Sequence, residues 1–131
     1  MLKREGKDLV VKHNIYISMK KKAILFEIIS NDDENLSFVY FKFNDGYFIT
    51  CRNLVEDNVI YFEMNDQSNC IYSNDCKYTI ENDYLILHFS ESISNELECE
   101  NILQIDYEMS EQEKELLQCC LEEIFSVSDV G

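Results

Sequence analysis

The chain has 131 residues, 46% of them hydrophobic, with no proline and three glycines. That is enough apolar material for a core without disulfide staples, and it leaves little from which to build a linker. A net charge of −15 argues against direct binding to nucleic acid or an anionic membrane, because a phosphate surface calls for a basic footprint.

The charge is unevenly spread. Residues 1–22 carry seven bases and two acids, and the remainder carries four bases and 24 acids. Solubility alone requires no such division; a basic protein partner would use it. The N-terminus lacks the pattern of a secretory signal, and no apolar run reaches the length of a membrane span, so the expected location is cytoplasmic. From Leu9 to Met19 the odd positions are largely apolar and the even ones largely polar, which predicts a strand with His13 on its apolar face. Lys20, Lys21 and Lys22 read as a turn. The stretch AILFEIIS at 23–30 is apolar on both faces except at Glu27, the pattern of a central strand.

An acidic loop, Asp32, Asp33 and Glu34, precedes the strongest pattern in the chain. In FVYFKFNDGYFITC, Val39, Phe41 and Phe43 share one face and Phe38, Tyr40 and Lys42 the other. Asn44-Asp45-Gly46 supplies a hairpin turn, with Gly46 free to take positive φ. Tyr47, Ile49 and Cys51 then alternate with Phe48, Thr50 and Arg52. Short strands at 59–64, 77–80 and 84–89 continue an antiparallel meander.

Between Leu97 and Met109, Leu97, Cys99, Leu103, Ile105, Tyr107 and Met109 share one parity. Glu98, Glu100, Gln104, Asp106 and Glu108 share the other, which predicts a strand carrying a ladder of carboxylates. Neighbours on such a face repel by roughly 0.6 kcal/mol in water, a cost that a cationic partner would relieve. The chain closes with a helix. Ser110 and Glu113 have capping-box spacing, and Leu116, Leu117, Cys120, Leu121, Ile124 and Phe125 form its apolar face, with Glu111, Glu115, Glu122 and Glu123 toward water. The expected fold class is α+β: mainly an antiparallel β meander with the C-terminal α-helix packed on the sheet. One domain is expected over residues 1–131, with 126–131 a loose tail.

The chemistry-bearing residues define no reaction. Six cysteines form no C-x-x-C pair and lie at no metal-ligand spacing from His13 or His88, so neither a metal nor another cofactor is expected. Reduced thiols packed as small hydrophobes are the expectation, with Cys70 and Cys76 the one pair flanking a turn. A two-histidine ribonuclease would need RNA to approach this acidic chain. Paired carboxylates arise by chance among 26 acids, and three glycines form no phosphate loop. The expectation is a binding protein and not an enzyme.

The strand NILQIDYEM running into the capped helix SEQEKELLQCCLEEIF, together with the aromatic strand–turn–strand FVYFKFNDGYFITC, resembles the bacterial immunity proteins of polymorphic-toxin and contact-dependent growth inhibition systems. Among these it resembles the immunity protein ten group. The resemblance implies a cytoplasmic protein that binds a cognate toxin domain, often a nuclease, and covers its active site. It brings no catalytic residues with it. The residues alone nominate the toxin-binding candidates: the acidic loop Asp32, Asp33 and Glu34, the carboxylates Glu98, Glu100, Asp106 and Glu108, and Tyr47 and Tyr61 as aromatic anchors. An acidic type III secretion chaperone, or another small adaptor, is the alternative. Such chaperones begin with an amphipathic helix, where this chain alternates as a strand.

Overall fold

The computed structural model describes residues 19–127, and among them the chain forms nine strands and two helices. Strands β2 (Leu25–Ile29), β3 (Leu36–Phe43), β4 (Gly46–Asn53), β5 (Ile60–Met64) and β6 (Asp66–Ser73) make an antiparallel sheet in sequence order. Strands β1 (Met19–Lys22), β9 (Ile102–Asp106), β8 (Tyr84–Phe89) and β7 (Cys76–Ile80) make a second sheet in that spatial order, with β1 parallel to β9. Helix α1 (Glu91–Leu97) precedes β9, and α2 (Glu111–Phe125) ends the described chain. This is an α+β fold with α2 packed against β2, β3 and β4.

The inner faces follow from period-two alternation. Val39, Phe41 and Phe43 of β3 and Phe48, Thr50 and Arg52 of β4 are buried, as the hairpin pattern requires. Leu85, Leu87 and Phe89 of β8 and Leu103 and Ile105 of β9 face them from the other sheet. Aromatic rings join the layers: Phe41 stacks on Tyr107 at 6.3 Å, and Phe89 meets Phe48 and Phe62 at 6.1 Å each. The chain changes sheets between two adjacent residues. The Ala23 N–H donates to Asp106 O at 2.8 Å in one sheet, and the Ile24 N–H to Lys42 O at 2.7 Å in the other.

Helix α2 carries the expected capping box: the Ser110 hydroxyl accepts from the Glu113 N–H, and the Glu113 carboxylate accepts from the Ser110 N–H. Leu117, Cys120, Leu121 and Ile124 are buried. Its other end meets Arg52, which is only 7% exposed. The guanidinium donates to Ile124 O (2.9 Å) and Glu123 O (2.6 Å), carbonyls at the open end of the helix, and to Asp57 O (3.0 Å) in the loop after β4.

Several expectations are corrected. Lys20–Lys22 are strand β1, not a turn. Their alternating charges meet acids across the sheet and beyond, Lys20 with Asp106, Lys21 with Asp45 and Lys22 with Glu108. Strand β2 is an edge strand rather than a central one: Leu25 is 59% exposed, and its apolarity on two sides reflects an open outer face. The meander ends at β6, whose polar sequence DQSNCIYS gave no strand signal, and β7 and β8 join the second sheet.

The carboxylate ladder does not form. Leu97 closes α1, which starts at the cap Ser90; Glu98 takes a left-handed backbone (φ 56°), Glu100 lies in the loop after it, and only Ile102–Asp106 is strand. Ile93 and Leu97 are buried on one helical face, so the parity that suggested a longer strand was a coincidence of spacing. On α2, Leu116 is 40% exposed, and Glu123 turns inward to accept from the hydroxyls of Ser30 and Ser37 at 2.7 Å each. Of the expected tail, Val127 packs on the core and Ser126 donates to Glu123 O. His13 and all of the expected Leu9–Met19 strand except Met19 lie outside the described residues.

Candidate functional site

An antiparallel sheet with one face on the core turns its alternate side chains to solvent, and these are ordinarily polar. The five-stranded sheet departs from that pattern. Register places Ile29, Phe38, Cys51, Tyr61 and Tyr72 in one row across its outer face, and Glu27, Tyr40, Ile49, Glu63 and Cys70 in the next. Leu25, Lys42 and Tyr47 begin a third. The face is therefore mainly aromatic and aliphatic, and Tyr72 at its β6 edge is 63% exposed.

Glu63 sits within this face and is only 8% exposed. One carboxylate oxygen accepts from the Tyr47 hydroxyl and the other from the Tyr61 hydroxyl, both at 2.5 Å. The Tyr61 ring lies 5.1 Å from that of Tyr72, and the Tyr47 ring 6.1 Å from that of Tyr40. Burial, then the hydrogen bond to Glu63, pushes the Tyr47 hydroxyl up to about 12. Tyr61 moves in the same direction for the same leading reasons. Both phenols are consequently neutral donors at physiological pH.

Local backbone devices set this arrangement. Gly46 has φ 152°, and a Cβ there would fall 1.9 Å from the Asn65 side-chain oxygen. The missing side chain lets that oxygen accept from the Tyr47 N–H at 3.0 Å, fixing the start of β4. The β5–β6 register shifts between Glu63 and Met64. A bulge at this place alters how the adjoining side chains are presented, and Glu63 is the last residue before it.

The ends of the face are acidic. At one end the loop 31–35 lies against the loop after β4: Asn53 donates to Glu34 O at 3.0 Å, and the Leu54 N–H to Asn35 O at 2.8 Å. This brings Asp33 and Glu34, both exposed, toward Glu56 and Asp57. Asp32 has a different task, since its carboxylate accepts from the N–H groups of Glu34 and Leu36 and shapes the loop. Asp45 and Asp66 stand at the opposite end. Within residues 24–75 there are ten acids and two bases, Lys42 and Arg52, and Arg52 is spent on α2.

The nine nominated residues thus divide. Tyr47 and Tyr61 converge on Glu63, and Asp33 and Glu34 border the same face. Glu98 and Glu100 flank the far end of α1, while Asp106 and Glu108 are matched by Lys20 and Lys22 of β1. The nominations omitted Glu63, Tyr40 and Tyr72. Glu63 shares the parity of Tyr61 in VIYFEM, a signal available in the sequence; Tyr72 belongs to the strand that gave none.

Among the described residues there is no cluster of histidine, cysteine and acidic side chains that could hold a metal. His88 lies on the outer side of β8, opposite Lys77 in register. The cysteines are free, and Cys70 and Cys76 belong to different sheets. A depression of about 570 Å³ beside Arg52, Val55 and Glu123 is floored by a guanidinium whose donors are committed to backbone carbonyls. No described helix is long and apolar enough to cross a membrane. Comparisons with protein-family models, with curated proteins and with solved structures returned no match.

Proposed function

We propose that this protein binds and neutralises a basic toxin domain, in the manner of a bacterial immunity protein, by laying the outer face of the β2–β6 sheet over the toxin's active-site region. One observation carries the reading: a tyrosine-rich sheet face is bordered at both ends by acids, of which Asp45 alone is ion-paired, to Lys21, among the described residues. Tyrosines provide large rigid contact area at low entropic cost, and they are over-represented among residues that dominate binding energy. The acidic border supplies steering toward a cationic cleft such as that of a nuclease. The protein acts in this reading by occlusion, in the cytoplasm, and needs neither cofactor nor catalytic group.

The experiment is co-expression with candidate basic toxin domains, any encoded beside its gene first, paired with calorimetry on the purified partners. Protection from the toxin and a stoichiometric complex are expected. Exchange of both Tyr61 and Tyr72 for Ala should weaken that complex by about 2–4 kcal/mol. Full protection and unchanged affinity in the double variant would move the binding surface elsewhere, and absence of any complex would overturn the reading.

A further inference from the structure

Glu63 is a carboxylate withdrawn from water on a face whose neighbours are mostly apolar. Burial of a charge is costly unless a counter-charge or several hydrogen bonds offset it. Two phenolic donors supply part of that compensation, but no described base forms an ion pair with Glu63. Among the described residues the only base on the face, Lys42, faces Tyr47 and Leu25 across the sheet. Each carboxylate oxygen retains acceptor capacity after taking one hydroxyl. Around the carboxylate stand the rings of Tyr47 and Tyr61, with Tyr40 and Tyr72 packed behind them.

Resting on the proposed function, we propose that Glu63 and its surrounding tyrosines form a socket for one arginine side chain of the basic partner. The chemistry distinguishes arginine from other cations. A guanidinium is planar, weakly hydrated, stacks on aromatic rings and offers a fork of donors matched to two carboxylate oxygens. The exposed Tyr72 ring forms the outer wall against which such a plane stacks, and the Tyr47 and Tyr61 hydroxyls hold the carboxylate in place. An ammonium, compact and strongly hydrated, forfeits the stacking and loses more on leaving water. The socket gives the partner's cation a fixed seat, whereas the acids at the ends of the face act at longer range.

The test uses the whole chain with tyrosine rings isotopically labelled, and three blocked tripeptides, Gly-Arg-Gly, Gly-Lys-Gly and Gly-citrulline-Gly, as probes. Saturable millimolar shifts of the Tyr61 and Tyr72 ring signals are expected with the arginine peptide. The lysine peptide should bind several-fold more weakly, and citrulline, which keeps the shape and lacks the charge, should leave the rings unmoved. Glu63→Gln should reduce arginine binding at least tenfold; Tyr72→Leu, at an exposed position that does not threaten folding, should reduce it several-fold. Rings indifferent to the arginine peptide, equal response to citrulline, or unchanged binding in a folded Glu63→Gln variant would overturn the socket. So would lysine binding as tightly as arginine. The peptide assay needs no toxin, so a chain that seats arginine yet neutralises nothing overturns the proposed function and leaves the socket standing.

Discussion

The two sheets share one core but turn opposite kinds of surface to solvent. The outer side of the four-stranded sheet carries Lys20, Lys22, Lys77, Thr79, Tyr84, His88, Gln104 and Asp106, interrupted by Ile86 and Ile102, and Lys20 and Lys22 meet acids within the protein. The outer side of the five-stranded sheet carries four tyrosines, Phe38, Ile29 and Ile49, with Glu27 and Lys42 toward its β2 edge, around the Glu63 carboxylate, which has no ionic partner among the described residues. Core packing cannot explain the contrast, because both inner faces are apolar. A face balanced within itself asks for nothing but water. An open apolar face holding unmatched negative charge is suited to a partner.

Changes to the shared core should damage both sheets together and by the largest amount. Leu121 is fully buried where α2 meets the five-stranded sheet. Leu121→Asp should cost about 3–5 kcal/mol in urea denaturation, and loss confined to one sheet would show that the two are not cooperatively linked. Arg52→Met should cost about 2–4 kcal/mol, because it strips the carbonyls at the end of α2 of their donors while roughly preserving volume. A change within 0.5 kcal/mol would mean that water replaces the guanidinium without loss.

The next variants separate binding from stability. Tyr72→Ala should alter folding stability by less than about 0.5 kcal/mol, since the ring is mostly exposed, yet weaken the complex with a basic toxin domain by about 1–2 kcal/mol. Exchange of both Lys77 and Thr79 for Ala on the other sheet should change neither quantity appreciably, as read by calorimetry alongside. The smallest effect belongs to the acidic border. Asp33→Asn with Glu34→Gln should slow association a few-fold at low salt and leave dissociation nearly unchanged, as stopped-flow mixing would show.

Alkaline pH sharpens the comparison from another side. Tyr47 is raised to about 12, with burial the leading cause, and burial lifts Cys51 on the same face to about 11. A group that holds its proton more tightly when folded contributes stability that is complete below its unfolded pKa and is lost as pH rises through the folded value. Stability should therefore decline between about pH 9 and 12. Tyr47→Phe should remove part of that slope. Denaturation midpoints across this range provide the check.

What the sequence revealed was local. The β3–β4 hairpin was legible because its alternation and its Asn-Asp-Gly turn lie within twenty residues, and the α2 start because Ser110 and Glu113 answer one another over a single turn. Sheet membership was not legible. The switch between Ala23 and Ile24 leaves no mark in composition, and β1 pairs with a strand more than eighty residues away. Helix α1 was hidden because Leu97 and Cys99 happen to extend the parity of β9. For the candidate face, Tyr47 and Tyr61 were found as single aromatics, but their convergence on Glu63 depends on pairing between strands. The acids of the supposed ladder misled because charge counted along a chain does not say which carboxylates already have lysine partners.

The central claim is that the partner lies on the tyrosine face. Hydroxyl-radical footprinting of the protein, free and bound to a basic toxin domain that it neutralises, reads this directly because tyrosine and histidine side chains report their own exposure. The account predicts that Tyr40, Tyr61 and Tyr72 lose reactivity on binding while Tyr84 and His88, on the outer side of the four-stranded sheet, keep theirs. Protection of Tyr84 and His88 with Tyr61 and Tyr72 unchanged would contradict it.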